Sequence, residues 1–297
     1  MQFGKEEARS PQAFVKACEE AFLSSLYDAA DDVLFNDHIK ILLLCGPTCS
    51  GKTTATKVLT EALAAGGKKL EPFSFDDFYR DTSLQKDLSA VDFESANALD
   101  LPLLGETIAS LLAGKETKIP IFDFHVRRRV GWRDCILTDN SVLFFEGIQA
   151  FYPEIVQLIP QEVCRCLFIS ANSPVTYEGT VFRAREIRFL RRLVRDRKFR
   201  NTTAEQTFGL WPAVIKNEDE NIYPHRAMAE QEIDSTLAYE PFVIAQFALP
   251  LLEMMPKDTP FENERRSLAE RLAVLPVLPA DIVPADSIFR EFIGGKE

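Results

Sequence analysis

The chain has 297 residues, 46% of them hydrophobic, and a formal net charge of −11. That supplies one substantial core and argues against nucleic acid as a bulk partner. No run approaches 18 consecutive apolar residues and residues 1–7 lack the apolar stretch of a secretory leader, so neither a membrane span nor secretion is expected and the cytoplasm is the expected location.

Ser10-Pro11 predicts a helix start, and Phe14, Val15, Cys18, Phe22, Leu26 and Val33 form one apolar stripe running to about residue 35. The apolar run 39–45 then reads as a strand buried on both faces, followed at once by Gly46-Pro-Thr-Cys-Ser-Gly-Lys-Thr53, a full G-x-x-x-x-G-K-[ST] match. Residues 54–65 read as a helix stopped by Gly66-Gly67. Strand, phosphate loop and helix in that order predict nucleoside triphosphate binding. Gly46 and Gly51 permit a backbone whose N–H groups converge on phosphate, with Cys49, Ser50, Lys52, Thr53 and Thr54 completing the cradle. Lys52 supplies a point charge to the β and γ phosphates, and the Thr53 hydroxyl a ligand for Mg²⁺. Cys49, beside Lys52 and a helix N-terminus, is either a thiol of lowered pKa open to redox control or a small side chain at a variable loop position. The other five cysteines form no C-x-x-C pair with it or each other and read as reduced core residues.

Further along, residues 70–75 predict a short strand ending in Asp76-Asp77, and 101–112 a helix after the polar stretch 81–100. Three more apolar runs follow, 118–124 with Asp123 near its end, 142–145 ending at Glu146-Gly147, and 163–170. Strands alternating with helices predict an α/β fold of the P-loop NTPase type, a mostly parallel sheet with helices on both faces. Ligands of such sheets sit at the C-terminal strand ends. Asp76, Asp123 and Glu146 would then share that rim with Lys52 and Thr53, one to serve magnesium and one as a base, unless they merely cap helices.

Between residues 183 and 200 stand nine basic residues against two acids, Glu186 and Asp196. This is either a solvated helix face or, beside a phosphate loop, a clamp for phosphate groups. Residues 241–255 predict a helix interrupted at Pro250, 265–272 a second, and the proline-spaced 274–284 an extended surface segment. The predicted organisation is an N-terminal helical addition (1–37), a kinase-like core (38–240) with an arginine-rich lid at about 183–212, and a C-terminal addition (241–297).

Beyond the phosphate loop, Phe75-Asp-Asp-Phe-Tyr-Arg80, Pro120-Ile-Phe-Asp-Phe124, Leu143-Phe-Phe-Glu-Gly-Ile148 and Arg191-Arg-Leu-Val-Arg-Asp196 resemble, in order and spacing, the motifs of the uridine kinase and phosphoribulokinase family. The resemblance covers about residues 39–239, and 191–224 is similar to a bacterial uridine-kinase-like branch. It implies that Asp76 is the catalytic base, with Tyr79 and Arg80 following it, that Asp92 holds ribose hydroxyls, and that Glu146 lies near metal and substrate. It also implies that Arg191, Arg192, Arg195 and Arg200 form a lid over ATP, Arg195 supplying charge to the reaction. ATP or another nucleoside triphosphate and Mg²⁺ are the implied cofactors, and a homo-oligomer is common in the family.

The chain departs from the family at the acceptor end. Phe122 stands where the family has tyrosine, followed by Phe124, and Arg127 stands where it has histidine. Phe122 retains a stacking face. The run Arg127-Arg128-Arg129 is either a reader of substrate charge or a solvated turn. The expected activity is phosphorylation of a small-molecule hydroxyl, foremost the 5′-hydroxyl of a uridine-like or cytidine-like nucleoside. The alternatives are a kinase of a phosphorylated sugar or other alcohol, and a nucleotide-binding switch without turnover.

Overall fold

In the computed structural model, which describes residues 10–81, 96–123 and 126–295, the first element is α1 (Pro11–Phe35). It turns Val15, Phe22, Leu26, Ala29, Ala30 and Val33 inward, and Pro11 opens it, whereas the Ser10 side chain makes no capping hydrogen bond. The chain continues through β1 (Ile41–Cys45), α2 (Lys52–Ala65), β2 (Lys69–Ser74) and a 3₁₀ turn (Phe75–Phe78) to α3 (Leu101–Leu112). Then come β3 (Thr117–Asp123), β4 (Arg128–Cys135), β5 (Ser141–Gly147), the single turn α4 (Pro153–Val156), β6 (Cys164–Ser170) and the ribbon β7 (Val175–Tyr177) with β8 (Thr180–Phe182). The remainder is α5 (Ala184–Arg200), α6 (Ala204–Asn221), β9 (Gln231–Asp234), α7 (Glu240–Glu253), α8 (Glu262–Ala273) and α9 (Arg290–Ile293).

Five strands make one parallel sheet in the order β2-β5-β1-β6-β9. Every residue of β1 is buried, as a strand covered on both faces demands. The two-residue period sorts its side chains between layers. Leu42 and Leu44 join α1, α2, α5, α7 and α8 on one face, while Ile41, Leu43 and Cys45 join α3, β3 and Phe151 on the other. The first of these cores runs without a break from Val15 to Ile293. The chain leaves β1 for β2, two places away on one side, and later crosses from β5 over β1 to β6, so the C-terminal end of β1 lies at the topological switch point where such sheets take ligands.

Two features differ from the sequence expectation. The run at 118–124 does not join the sheet, because β3 pairs antiparallel with β4 in a separate hairpin. The alternating exposure of β4 is that of a ribbon wetted on one side. Pro250, expected to interrupt a helix, lies within the last turn of α7.

Candidate active site

Gly46 leaves β1 so close to β6 that a Cβ there would overlap the Ile169 carbonyl oxygen. Gly51 turns at φ +90° under the Ile288 side chain, and α2 begins at the next residue. The loop therefore delivers the N-terminal end of a helix, with its unpaired N–H groups and positive dipole, to the switch point. Ser50 Oγ is fully buried there and has no hydrogen-bond partner among the described residues, which suits an incoming acceptor such as phosphate oxygen. Lys52 Nζ curls over the loop to donate to Gly46 O at 2.8 Å and Pro47 O at 3.1 Å. Burial pulls its pKa below the usual lysine value, opposed by Cys45 and Glu146. Thr53 is exposed at the start of α2 and free to take a metal ligand's place, while the Thr54 hydroxyl donates to Glu291 Oε2 at 3.2 Å.

The chemistry of the rim is set by two carboxylates. Glu146 closes β5 in register with Leu44 and Ser74, the neighbours on β1 and β2. Asp76 sits in the 3₁₀ turn after β2, its N–H held by Ser74 Oγ at 3.1 Å. Both residues are exposed overall, yet desolvation of the carboxyl pushes each pKa up, reinforced by Asp77 at Asp76 and opposed by Lys52 at Glu146. Asp77 has a different task, accepting the Phe122 N–H at 3.4 Å and so tying the hairpin to the turn. Asp123 is not a sheet-rim acid, since β3 lies outside the sheet and its carboxylate accepts the Val126 N–H at 3.4 Å in the hairpin turn. The expected trio is therefore a pair.

Beside Asp76, the Tyr79 ring packs against Phe122 with centroids 5.7 Å apart, and the Tyr79 hydroxyl accepts from Gln149 Nε2 at 3.3 Å. Gln149 is buried and was not anticipated; its position three residues after Glu146, where β5 gives way to a 3₁₀ turn, was the available signal. Arg80 Nε donates to Leu99 O at 2.9 Å. The arginine triplet does not act as one patch. Arg127 occupies the left-handed region at φ 57°, Arg128 is exposed on β4, and Arg129 pairs with Asp100 at 2.6 Å. Burial of Asp100 opposes its ionisation, but the Arg129 and Leu103 hydrogen bonds hold its pKa below the usual value. Asp92 and Phe124 lie outside the described residues.

The basic segment forms α5, whose buried face carries charge as well as apolar groups. Arg192, Arg195 and Arg200 gather around the buried Asp196 at 3.1, 3.7 and 3.6 Å. Arg191 is fully buried and engaged by Glu240, Ser235 and the Cys49 carbonyl, so it is not the free lid charge that the sequence suggests. Of the two readings of Cys49, its burial favours the small side chain packed in the loop. Burial pushes its thiol pKa up despite Arg195, Arg192 and Arg188 nearby, which removes the premise of a reactive thiolate. Among the described residues no helix is long and apolar enough to cross a membrane.

Residues 41–169 match the model of the Phosphoribulokinase / Uridine kinase family. The chain is 29% identical over 192 residues to uridine-cytidine kinase A of Dictyostelium discoideum, a match covering 64% of this chain and 35% of that one. It is 26% identical over 215 residues to a uridine kinase of Deinococcus deserti, covering 66% of this chain and 94% of the relative. Among solved structures, a D-glycerate 3-kinase from Cryptococcus neoformans var. grubii aligns over 97% of this chain and 89% of its own, with 14% identity and a TM-score of 0.32. The chain spans about a third of the Dictyostelium protein's length and nearly all of the Deinococcus protein's.

Proposed function

We propose that this chain, whose residues 41–169 match the model of the Phosphoribulokinase / Uridine kinase family, is a kinase that transfers the γ-phosphoryl of ATP to the 5′-hydroxyl of a pyrimidine-type nucleoside. The observation that carries the reading is the Asp76 carboxylate, raised in pKa and standing on the rim that Lys52 and Glu146 share. Asp76 takes the proton of the acceptor hydroxyl as its oxygen bonds to the γ-phosphorus and the bond to the β-phosphate oxygen breaks. The transition state is loose in most analyses, so a weak base suffices once the hydroxyl is in line. Lys52 and the N–H groups at the start of α2 stabilise charge on the phosphoryl oxygens, and Arg195, whose charge reaches Cys49 in the loop, adds to it. Thr53 and Glu146 are the residues that would hold Mg²⁺, which would supply charge neutralisation to the phosphates. Tyr79, Phe122 and Gln149 together offer a stacking face and a buried amide, the chemistry that a nucleobase needs.

A phosphorylated acceptor is the second reading, and Arg129 weakens it, since its charge is already matched by Asp100. Arg127 remains as the one partly buried member of the triplet without such an ion pair among the described residues. The deciding experiment is ATP consumption with Mg²⁺ over uridine, cytidine, purine nucleosides, ribulose 5-phosphate and pantothenate, with Lys52→Ala as control. Turnover confined to a pyrimidine nucleoside, and unchanged in Arg127→Ala, is expected. Turnover only with an anionic alcohol, lost in Arg127→Ala, moves the assignment to the second reading. A cytoplasmic location belongs with the same proposal, because the substrates are metabolites of that compartment.

A further inference from the structure

Two fully buried arginines of α5 reach the phosphate loop on the side away from its cradle. Arg188 Nη1 donates to Thr48 O at 3.1 Å and Arg191 Nη1 to Cys49 O at 3.0 Å. In a planar trans peptide the carbonyl and the following N–H point in opposite directions. Fixing the Thr48 and Cys49 carbonyls toward the arginines therefore turns the N–H groups of Cys49 and Ser50 the other way. Cys49, between these two peptides, has φ 57°, a left-handed conformation that a residue with a side chain keeps only where its surroundings enforce it. Ser50, next in the chain, carries the buried hydroxyl that lacks a partner among the described residues.

Each arginine is in turn fixed by a buried glutamate. Glu218 of α6 takes both terminal nitrogens of Arg188 at 2.6 Å, and Glu240 of α7 takes Nε and Nη2 of Arg191 at 2.7 and 2.5 Å. Trp211 lies under the first guanidinium and Phe292 under the second. Buried ion pairs contribute little net stability, because desolvation offsets the attraction. Two of them, aimed at consecutive carbonyls of one loop, call for another explanation.

We propose that Arg188 and Arg191, held by Glu218 and Glu240, are positioning residues that impose the phosphate-binding conformation on the loop rather than charges that touch the nucleotide. This deepens the donor-site reading above and rests on it. All four side chains lie beyond the residues that match the family model, so the C-terminal half of this chain finishes a loop that the N-terminal half encodes.

The test is calorimetric binding of a non-hydrolysable ATP analogue and of pyrophosphate, with thermal unfolding measured alongside. R188M/E218L keeps the net charge and replaces the ion pair by apolar groups of similar size, so it is expected to unfold within a few degrees of wild type yet bind both probes at least tenfold more weakly. Arg188→Lys keeps the charge opposite Glu218 without the planar fork, and its affinity is expected between the two. The control is R185Q/D219N, which removes an exposed pair linking the same two helices without touching the loop, and should bind as wild type. Wild-type affinity in folded R188M/E218L overturns the inference, and so does an equal loss in the control, which would reduce the role to helix docking. Should R188M/E218L not fold, Arg188→Lys decides, unchanged affinity overturning the inference. Wild-type protein that binds neither probe would instead overturn the donor-site reading itself.

Discussion

In the proposed site, the donor side is made of backbone and the acceptor side of side chains. On the donor side, Gly46 and Gly51 shape a loop whose N–H groups serve any phosphate, and its supports are buried in the main core. On the proposed acceptor side, Tyr79, Phe122 and Gln149 come from the end of a 3₁₀ turn, a separate two-stranded hairpin and the exit of β5, and a ring contact and a hydrogen bond are among what joins them. Peptide groups are the same in every residue, so a backbone site varies little in what it binds. A site of converging side chains changes what it offers a ligand with each substitution, and Phe122 and Arg127 are two departures from the motif pattern that the sequence resembles.

The comparison breaks first if the two sides are not separable by mutation. Lys52→Ala removes the side-chain charge of the phosphate loop and is expected to lower kcat/KM by about 10³-fold or more, with ATP-analogue affinity reduced as well. Asp76→Asn keeps shape and removes the base, with an expected loss of about 10²- to 10³-fold in kcat and ATP-analogue affinity within a few-fold of wild type. Loss of nucleotide binding in Asp76→Asn, measured by calorimetry, would mean that Asp76 belongs to the donor side. Gln149→Leu leaves the Tyr79 hydroxyl without its donor and should raise the acceptor KM by about tenfold with the ATP KM unchanged. A shift in both constants would show that the acceptor pocket and the loop respond as one unit.

The same division explains what could be read in the sequence. β1, the loop, α2, Asp76 and Glu146 were legible because strand, turn and helix signals there are local, and Leu101–Leu112 stood out as a helix after the polar stretch 81–100. β4 was missed because Arg128-Arg-Val-Gly-Trp-Arg-Asp-Cys135 holds no apolar run, and β9 because four residues carry too little period. Arg191 was read as a lid residue because its chemistry suits phosphate. Its partner Glu240 lies 49 positions away, and only the tertiary structure brings the two together. Arginine in a basic helix looks the same in sequence whether it faces a ligand or a buried carboxylate. The anchoring role of Asp77 beside Asp76 had no local signal, because the hairpin that it holds lies 45 positions away.

That last pair gives the smallest effect and the sharpest reading of the acceptor rim. Desolvation, then the charge of Asp77, raises the Asp76 pKa. Its carboxyl is therefore expected to titrate above the usual aspartate value of about 3.9 when followed by NMR in the metal-free protein. Across that window the folded chain binds more protons than the unfolded chain, so Asp76's contribution to stability falls as pH rises from the unfolded to the folded pKa. Asp77→Asn keeps an oxygen to accept the Phe122 N–H and removes the charge, so the Asp76 titration should move to lower pH while the hairpin stays docked. The desolvation component remains, and a residual elevation is therefore expected. A titration that does not move would assign the whole elevation to burial and leave Asp77 a purely structural anchor of the hairpin, whereas a return to the usual value would mean that the exposed carboxylate of Asp76 owes its basicity to its neighbour alone.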